Sequence, residues 1–385
     1  MVSERLSYIP PGSWKAEYGH VPSLDGLRAF SIGTVLIGHM VLPASLIGVS
    51  AFGVKVFFFI SGLLITRLLF AEHRKNGSIN LRDFYIRRVL RLYPVLIALV
   101  GSVLLIATIR GLAYQPIDVA SVFFYFVNYL LVQREFLGAD LSLPFGVLWS
   151  LSVEEHFYIF VPLTFFLVRA TPRRLLTLAI ALCCLSLGLR LAYTQIWPGI
   201  EHTLLIYRHS ETRFDSIAFG VILACLCEMP AGRRLMEQLA SRWAFLLGIV
   251  VLLGSFLIRD DYFQNTWRFT IQGLSLFPIF VGLVFAAPFP LFNKMLNIRP
   301  MAWVGKLSYS LYIWHGTVVF FFGWWVLSLP KPVIGLTEII ITFSLAVASY
   351  YIVERPTLKL RKYFRGGESV QKPVSGFAAN IETSP

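Results

Sequence analysis

Charge is scarce in this 385-residue chain: Asp, Glu, Lys and Arg together make up 14% of it. Acid is the scarcer sign, 21 residues against 34 basic ones, for a formal net charge of +13. Cysteine is scarce too. The four present (Cys183, Cys184, Cys225, Cys227) all fall in apolar stretches. They have no metal-ligand spacing with histidine and no place in a secreted disulfide framework, so they read as small packing residues. No internal repeat and no second soluble domain can be discerned. The first apolar run, starting near Leu27, lacks a small-residue cleavage pattern and reads as a retained span rather than a signal peptide. What fills the chain is apolar surface: 56% hydrophobic and 15% aromatic residues, with a mean hydropathy of +0.69. Several runs reach the roughly 20 residues that cross a bilayer. That excludes a soluble domain and sets the expected class as an all-α integral membrane protein.

The distribution of the positive charge argues against a nucleic-acid partner. Basic residues gather in alternate loops: Arg74, Lys75, Arg82, Arg87, Arg88 and Arg91; Arg169, Arg173 and Arg174; Arg233, Arg234 and Arg242; Lys294, Arg299 and Lys306; then Lys359, Arg361, Lys362 and Arg365. This is the positive-inside pattern, which puts the basic loops and both termini in the cytoplasm. Spans are expected near 27–47, 53–71, 88–109, 148–168, 174–193, 214–229, 243–258, 269–289, 308–328 and 333–353. The short apolar stretch 119–132, which carries Asn128, must dip in and return if loop parity is to hold, making ten spans plus one re-entrant segment. The expected division is a cytoplasmic segment 1–22, a transmembrane domain 23–356 and a cytoplasmic tail 357–385. That tail is rich in Gly, Ser and Pro from Gly366 and is expected to be disordered.

Polar residues inside apolar spans are costly and need a reason. In SLDGLRAFSIGTVLIGH (Ser23 to His39), Arg28 and His39 are eleven residues apart, so on a helix they share a face to within roughly 20° and lie about 16 Å apart along the axis. In GVKVFFFISG, Lys55 reads as snorkelling near the outer border and Ser61-Gly62 as a close-packing pair. FYIRRVLRLYP places Arg87, Arg88 and Arg91 at three- and four-residue spacing. They serve either as positive-inside anchors or as a phosphate cradle for a nucleotide-bearing cofactor, with Tyr93 able to stack on an adenine. LWSLSVEEHFY brings Ser150, Glu154, Glu155 and His156 into one span, and KLSYSLYIWHGT places His315 at a depth comparable to His39. Arg213 and Asp215 in RFDSIAFG, and Glu354 with Arg355, read as structural ion pairs. Histidines near the midplane, carboxylates toward the outer side and arginines on the cytoplasmic side form a polar route. A transporter or a group-transfer enzyme could use it.

Taken in order, SLDGLRAFSIGTVLIGH, GVKVFFFISG, FYIRRVLRLYP, LWSLSVEE, RFDSIAFG, LSYSLYIWH and VERP resemble the signature segments of the membrane-bound acyltransferase 3 family, from about Ser23 to about Arg355. Arg28 and His39 match that family's Arg-x10-His signature, and Arg87, Arg88, Arg91 and Pro94 its RRxxRxxP signature. The resemblance implies a ten-helix core that moves acyl groups, most often acetyl from acetyl-CoA, to hydroxyls of glycans or glycolipids across the membrane. It implies His39 as catalytic base with Arg28 and Asp25 positioning it, and Glu154 and His315 lining the acceptor or relay region. Arg87, Arg88, Arg91, Tyr93 and Ser61 are the expected cofactor-binding residues, and no metal is expected. One departure stands out: His156 occupies the place of the family's usual glutamine. With no appended soluble domain, the chain resembles a stand-alone transferase of the kind that decorates lipopolysaccharide, exopolysaccharide or lipo-chitooligosaccharide. The alternatives from other classes are an exporter of a small or acylated solute and a non-catalytic partner in polysaccharide assembly.

Overall fold

The computed structural model describes residues 23–43, 48–286, 289–322 and 330–364. The expected amino-terminal segment 1–22 and the tail beyond 364 lie outside these residues. Among the described residues every regular element is helical: α1 Leu24–Met40, α2 Gly48–Asn76, α3 Leu81–Ile109, α4 Pro116–Phe123, α5 Val127–Phe136, α6 Trp149–Leu167, α7 Pro172–Ile196, α8 Leu205–Arg208, α9 Ser210–Glu228, α10 Pro230–Leu239, α11 Arg242–Leu257, α12 Asp261–Asn265, α13 Trp267–Phe280, α14 Pro290–Leu296, α15 Arg299–Phe322, α16 Lys331–Ser349 and α17 Arg355–Leu360. Helix starts are written locally. Pro occupies the first turn of α4, α7, α10 and α14, where no intrahelical N–H is needed. Asn80 and Ser241 cap α3 and α11 through their side-chain oxygens.

Each stretch expected as a span is helical over most of its described residues; 44–47, 287–288 and 323–329 lie outside them. Five helical segments are long and apolar enough to cross a membrane by themselves: 48–76, 81–109, 172–196, 267–285 and 331–360. A sixth would be 205–239, taken as one span despite a 113° bend after Glu228. The helices that carry the candidate site, α1, α6 and α15, are not among the five. α1 has 17 residues, and α6 and α15 dilute their apolar surface with Glu154, Glu155, His156, Lys306 and His315. The expected re-entrant stretch is two short helices, α4 and α5, broken at Tyr125, whose φ of 57° lies in the left-handed region that a β-carbon disfavours.

Burial orders the bundle from inside out. In the apolar windows of α2 and of the α13 segment, 61% of residues are buried, against 28% for those of α7 and α16. α2 and α9 meet through glycines, as small residues let backbones approach where hydrocarbon gives no hydrophobic drive between helices. A β-carbon at Gly62 would fall 2.0 Å from Ile217 O, and one at Gly220 2.1 Å from Phe59 O. The region from 357, expected as tail, begins in helix: α17 runs into a 3-10 turn Arg361–Phe364, where Arg87 Nη1 donates to the Phe364 carbonyl at 2.6 Å. A basic side chain thus satisfies a carbonyl left free at the helix end.

Candidate active site

α1 and α15 touch where the polar residues begin. A β-carbon at Gly305 would fall 2.0 Å from Asp25 O, and from there the helices run side by side to His39 and His315. His39 Nδ1 lies 3.2 Å from His315 Nε2, with the rings 6° from parallel. His315 is buried, 1% exposed, whereas His39 is exposed. His315 Nδ1 faces the Tyr312 carbonyl, which can only accept. The hydrogen-bond network therefore assigns the proton of neutral His315 to Nδ1, leaving Nε2 as an acceptor for His39 Nδ1–H. The lone pair of His39 is left on Nε2. The Tyr312 hydroxyl donates to Val147 O at 2.6 Å and receives the Ser150 hydroxyl at 2.6 Å, holding this turn of α15 against α6.

One turn along α6, Glu154 Oε1 accepts from Ser61 Oγ and from the Tyr158 hydroxyl, each at 2.5 Å. Arg88 Nη2 lies 3.8 Å from Glu154 Oε1 and 3.5 Å from Glu155 Oε1, and its guanidinium sits 3.3 Å over the Tyr158 ring. The carboxylates and the arginine segment, expected toward opposite sides, are therefore in contact. The first turns of α6, Trp149 to Val153, are buried within the bundle. There an unpaired carboxylate costs several kcal/mol, and pairing with Arg88 offsets it.

The remaining expected cofactor residues divide. Arg87 pairs with Glu72 at 2.9 Å and with the Phe364 carbonyl, and the Tyr93 hydroxyl donates to Phe123 O at 2.9 Å. Arg28 makes a loose pair with Asp25 at 3.6 Å. Arg91 is half-buried and, among the described residues, makes no hydrogen bond or ion pair; its charge is within reach of Arg28, Glu155 and Glu354. His156 Nδ1 lies 2.7 Å from Ser210 Oγ, which also accepts from Asn128 Nδ2 at 3.0 Å, so the substituted position ties α6 to α9 and α5.

Three expectations need correction. Asp215 pairs with Arg190 at 2.8 Å, both fully buried, rather than with Arg213; Arg213, two residues away, points elsewhere. Lys55 does not snorkel: it is 1% exposed and donates from Nζ to Phe269 O at 2.9 Å. Glu354 accepts from Ser310 Oγ at 2.8 Å rather than pairing with its neighbour Arg355. The sequence reading also missed Tyr158, Tyr312 and Arg190. Helical spacing offered the first two, four residues after Glu154 and three before His315. The third is a lone arginine inside the apolar run of α7, a signal in itself. Among the described residues no group of three or more His, Cys, Asp or Glu is arranged to hold a metal.

The family described as Acyltransferase domain matches residues 21–355. The chain is 31% identical over 373 residues to the protein named O-acetyltransferase OatA of Staphylococcus aureus (strain MRSA252), covering 94% of this chain and 61% of that protein. The corresponding figures for the protein of that name in strain NCTC 8325 / PS 47 are 30%, 94% and 61%. It is 29% identical over 357 residues to a putative O-acetyltransferase of strain COL, covering 88% of this chain and 58% of the relative. The chain thus spans about three-fifths of the length of these relatives. No solved structure matches. With signature segments, a helical fold and a family match that agree over nearly the same residues, the chain belongs to the membrane-bound acyltransferase 3 family.

Proposed function

We propose that this chain is a multi-pass membrane O-acetyltransferase. It moves an acetyl group from acetyl-CoA on the cytoplasmic side to a hydroxyl of an extracytoplasmic glycan or glycolipid, in the cytoplasmic membrane of a bacterium. The family match and the relatives named O-acetyltransferase support acyl transfer to oxygen. The alternating basic loops support ten spans with both termini inside. The observation that carries the reading is the chain from the Tyr312 carbonyl through His315 to His39, which leaves an unprotonated Nε2 on the exposed imidazole.

In the proposed step, His39 Nε2 takes the proton of the acceptor hydroxyl as its oxygen bonds to the acetyl carbon. The carbon–sulfur bond breaks, and the proton passes from His39 to the departing CoA sulfur, yielding ester and free thiol. The charge that His39 gains is shared with His315 through the Nδ1–H bond, and the Tyr312 carbonyl keeps His315 in the accepting tautomer. General-base help of this kind is typically worth about 10²–10⁴ in rate, with positioning supplying much of the rest. Of the arginines, Arg91 and Arg28 are the ones left available to CoA phosphates. Arg87, Arg88, Ser61 and Tyr93 act behind them, holding α2, α3 and α6 in register. Glu154 is a positioning residue, since its Oε1 is already filled by Ser61 and Tyr158.

The test uses the purified chain in liposomes with radiolabelled acetyl-CoA and glycans extracted from the cell envelope. Label entering glycan with wild type and not with His39→Ala is the expected result. Acetyl-CoA-independent movement of solute, with no transfer by either protein, would overturn the reading in favour of an exporter.

A further inference from the structure

The geometry points to a second site, centred on Arg213, that binds a phosphate or carboxylate group of the acyl acceptor. Arg213 is 0% exposed. None of Nε, Nη1 and Nη2 has a hydrogen-bond partner among the described residues. Its guanidinium carbon lies 4.1 Å from the ring centre of Phe269, 5.1 Å from Tyr207, 5.7 Å from Trp149 and 6.0 Å from Phe58. Aromatic faces attract a cation but do not fill its five N–H donors. The surroundings do not neutralise it either. Lys55, Arg190 and Arg213 are all fully buried here, and the one buried acid in direct contact, Asp215, is taken by Arg190. Lys55 is spent on a carbonyl. The charge of Arg213 is left over in a place where buried charge is normally paired. An arginine does not shed its proton to escape, so an anion is what completes the site, and the guanidinium fork suits the two oxygens of a phosphate or carboxylate.

Its position says what the anion belongs to, given the transferase reading on which this step rests. Trp149 packs on the Arg213 guanidinium, and the next residue, Ser150, bonds the Tyr312 hydroxyl on the turn of α15 that holds His315. A relay of contacts through Trp149, Ser150 and Tyr312 thus links the unpaired cation to the turn that holds His315. Among the described residues it makes no ion pair or hydrogen bond with Arg28 or Arg91, the cations left for the donor. Tyr207, on the short helix α8 after the 197–204 connection, is half-buried while the other three rings are buried, which makes its side the way in. An acidic acceptor held there by its charge would present a neighbouring hydroxyl to His39.

The proposal separates cleanly from fold defects. Replacing an unpaired buried charge by an apolar side chain of similar length stabilises a protein. Arg213→Met in neutral detergent and anion-poor buffer should therefore unfold at a higher temperature than wild type. Inorganic phosphate and glucuronate should raise the unfolding temperature of wild type saturably, glucose should not, and Arg213→Met should lose at least ten-fold in affinity for both anions. Arg213→Lys should retain weaker binding, and acetyl-CoA binding should be unchanged in both variants. Destabilisation by Arg213→Met together with Arg213-independent anion effects would overturn the site. Dependence on Arg213 only for phosphatidylglycerol in phosphatidylcholine vesicles, with no effect of the soluble anions, would assign it to a lipid headgroup and overturn the acceptor. These are binding readouts. Arg213-dependent anion binding in a protein that shows no acetyl transfer would count against the transferase reading and leave the site standing.

Discussion

Two regions of buried charge sit on neighbouring faces of the same bundle and are built in opposite ways. Along α1, α3, α6 and α15 the charges are matched: Arg28 with Asp25, Arg88 with Glu154 and Glu155, and Glu154 with Ser61 and Tyr158. Left open to substrate there are one imidazole nitrogen, the half-buried Arg91 and the loosely paired Arg28. Between α2, α7, α9 and α13 the charges are unmatched, three fully buried cations against one acid. The first arrangement holds reacting groups still, since its charges lie beside opposite charges and Glu154 and His315 are fixed by hydrogen bonds. The second is incomplete without an anion. In an apolar bundle, polarity by itself does not mark function; the unfilled valence does.

Several substitutions would break or sharpen that contrast. The largest effect belongs to His39→Ala, which should lower acetyl transfer by about 10²–10⁴ with acetyl-CoA affinity unchanged, read by initial rates and equilibrium binding. Asp215→Ala removes the one fully buried acid described in the unmatched region and should destabilise the protein by about 3–5 kcal/mol in denaturant unfolding. That is opposite in sign to Arg213→Met; equal signs would contradict an excess of buried positive charge in this region. Gly305→Ala forces α15 away from Asp25 O and misaligns the histidines, so transfer should fall by up to about 10²-fold. Gly33→Ala, with no heavy atom within 4 Å of the new β-carbon, is the control and should leave transfer unchanged.

Smaller effects follow from the histidine chain and from the cysteines. His315→Gln can still offer an oxygen to His39 Nδ1–H and should retain more activity than His315→Ala, with rates measured across pH. Because the base must be neutral, transfer by wild type should rise as pH passes upward through the titration of the pair; a rate that falls over that range would exclude His39 as base. Replacing all four cysteines, free in this structure, by serine or alanine should leave transfer intact. Loss of acetyl transfer with the fold retained would instead argue for an acyl-cysteine intermediate.

Much of the fold could be read from the sequence because it rests on local rules. Apolar run length located the long helices, while the short ones α8, α10, α12, α14 and α17 carry no such signal. Loop parity marks the stretch around Asn128 as something other than a full span, and it is two short helices, α4 and α5. The Arg28–His39 face was legible from spacing alone. What could not be read were the partners across helices. Nothing local to RFDSIAFG says that Asp215 will choose Arg190 from α7 over Arg213 two residues away. Nothing local to GVKVFFFISG says that Ser61 will meet Glu154 ninety-three residues on. Lys55 misled for the same reason: snorkelling is a rule for a lone helix in lipid, and α2 lies inside the bundle, 61% of its apolar window buried. The contact of Arg88 with Glu154 depends on where α6 begins in depth, which the turn before it decides and no periodicity records.

The most direct test of the account is the acetyl-transfer rate of His39→Ala, measured on the same proteoliposome sample as its acetyl-CoA affinity. The account predicts a rate at least about a hundred-fold below wild type with donor affinity intact. Near-wild-type transfer by that variant would contradict it.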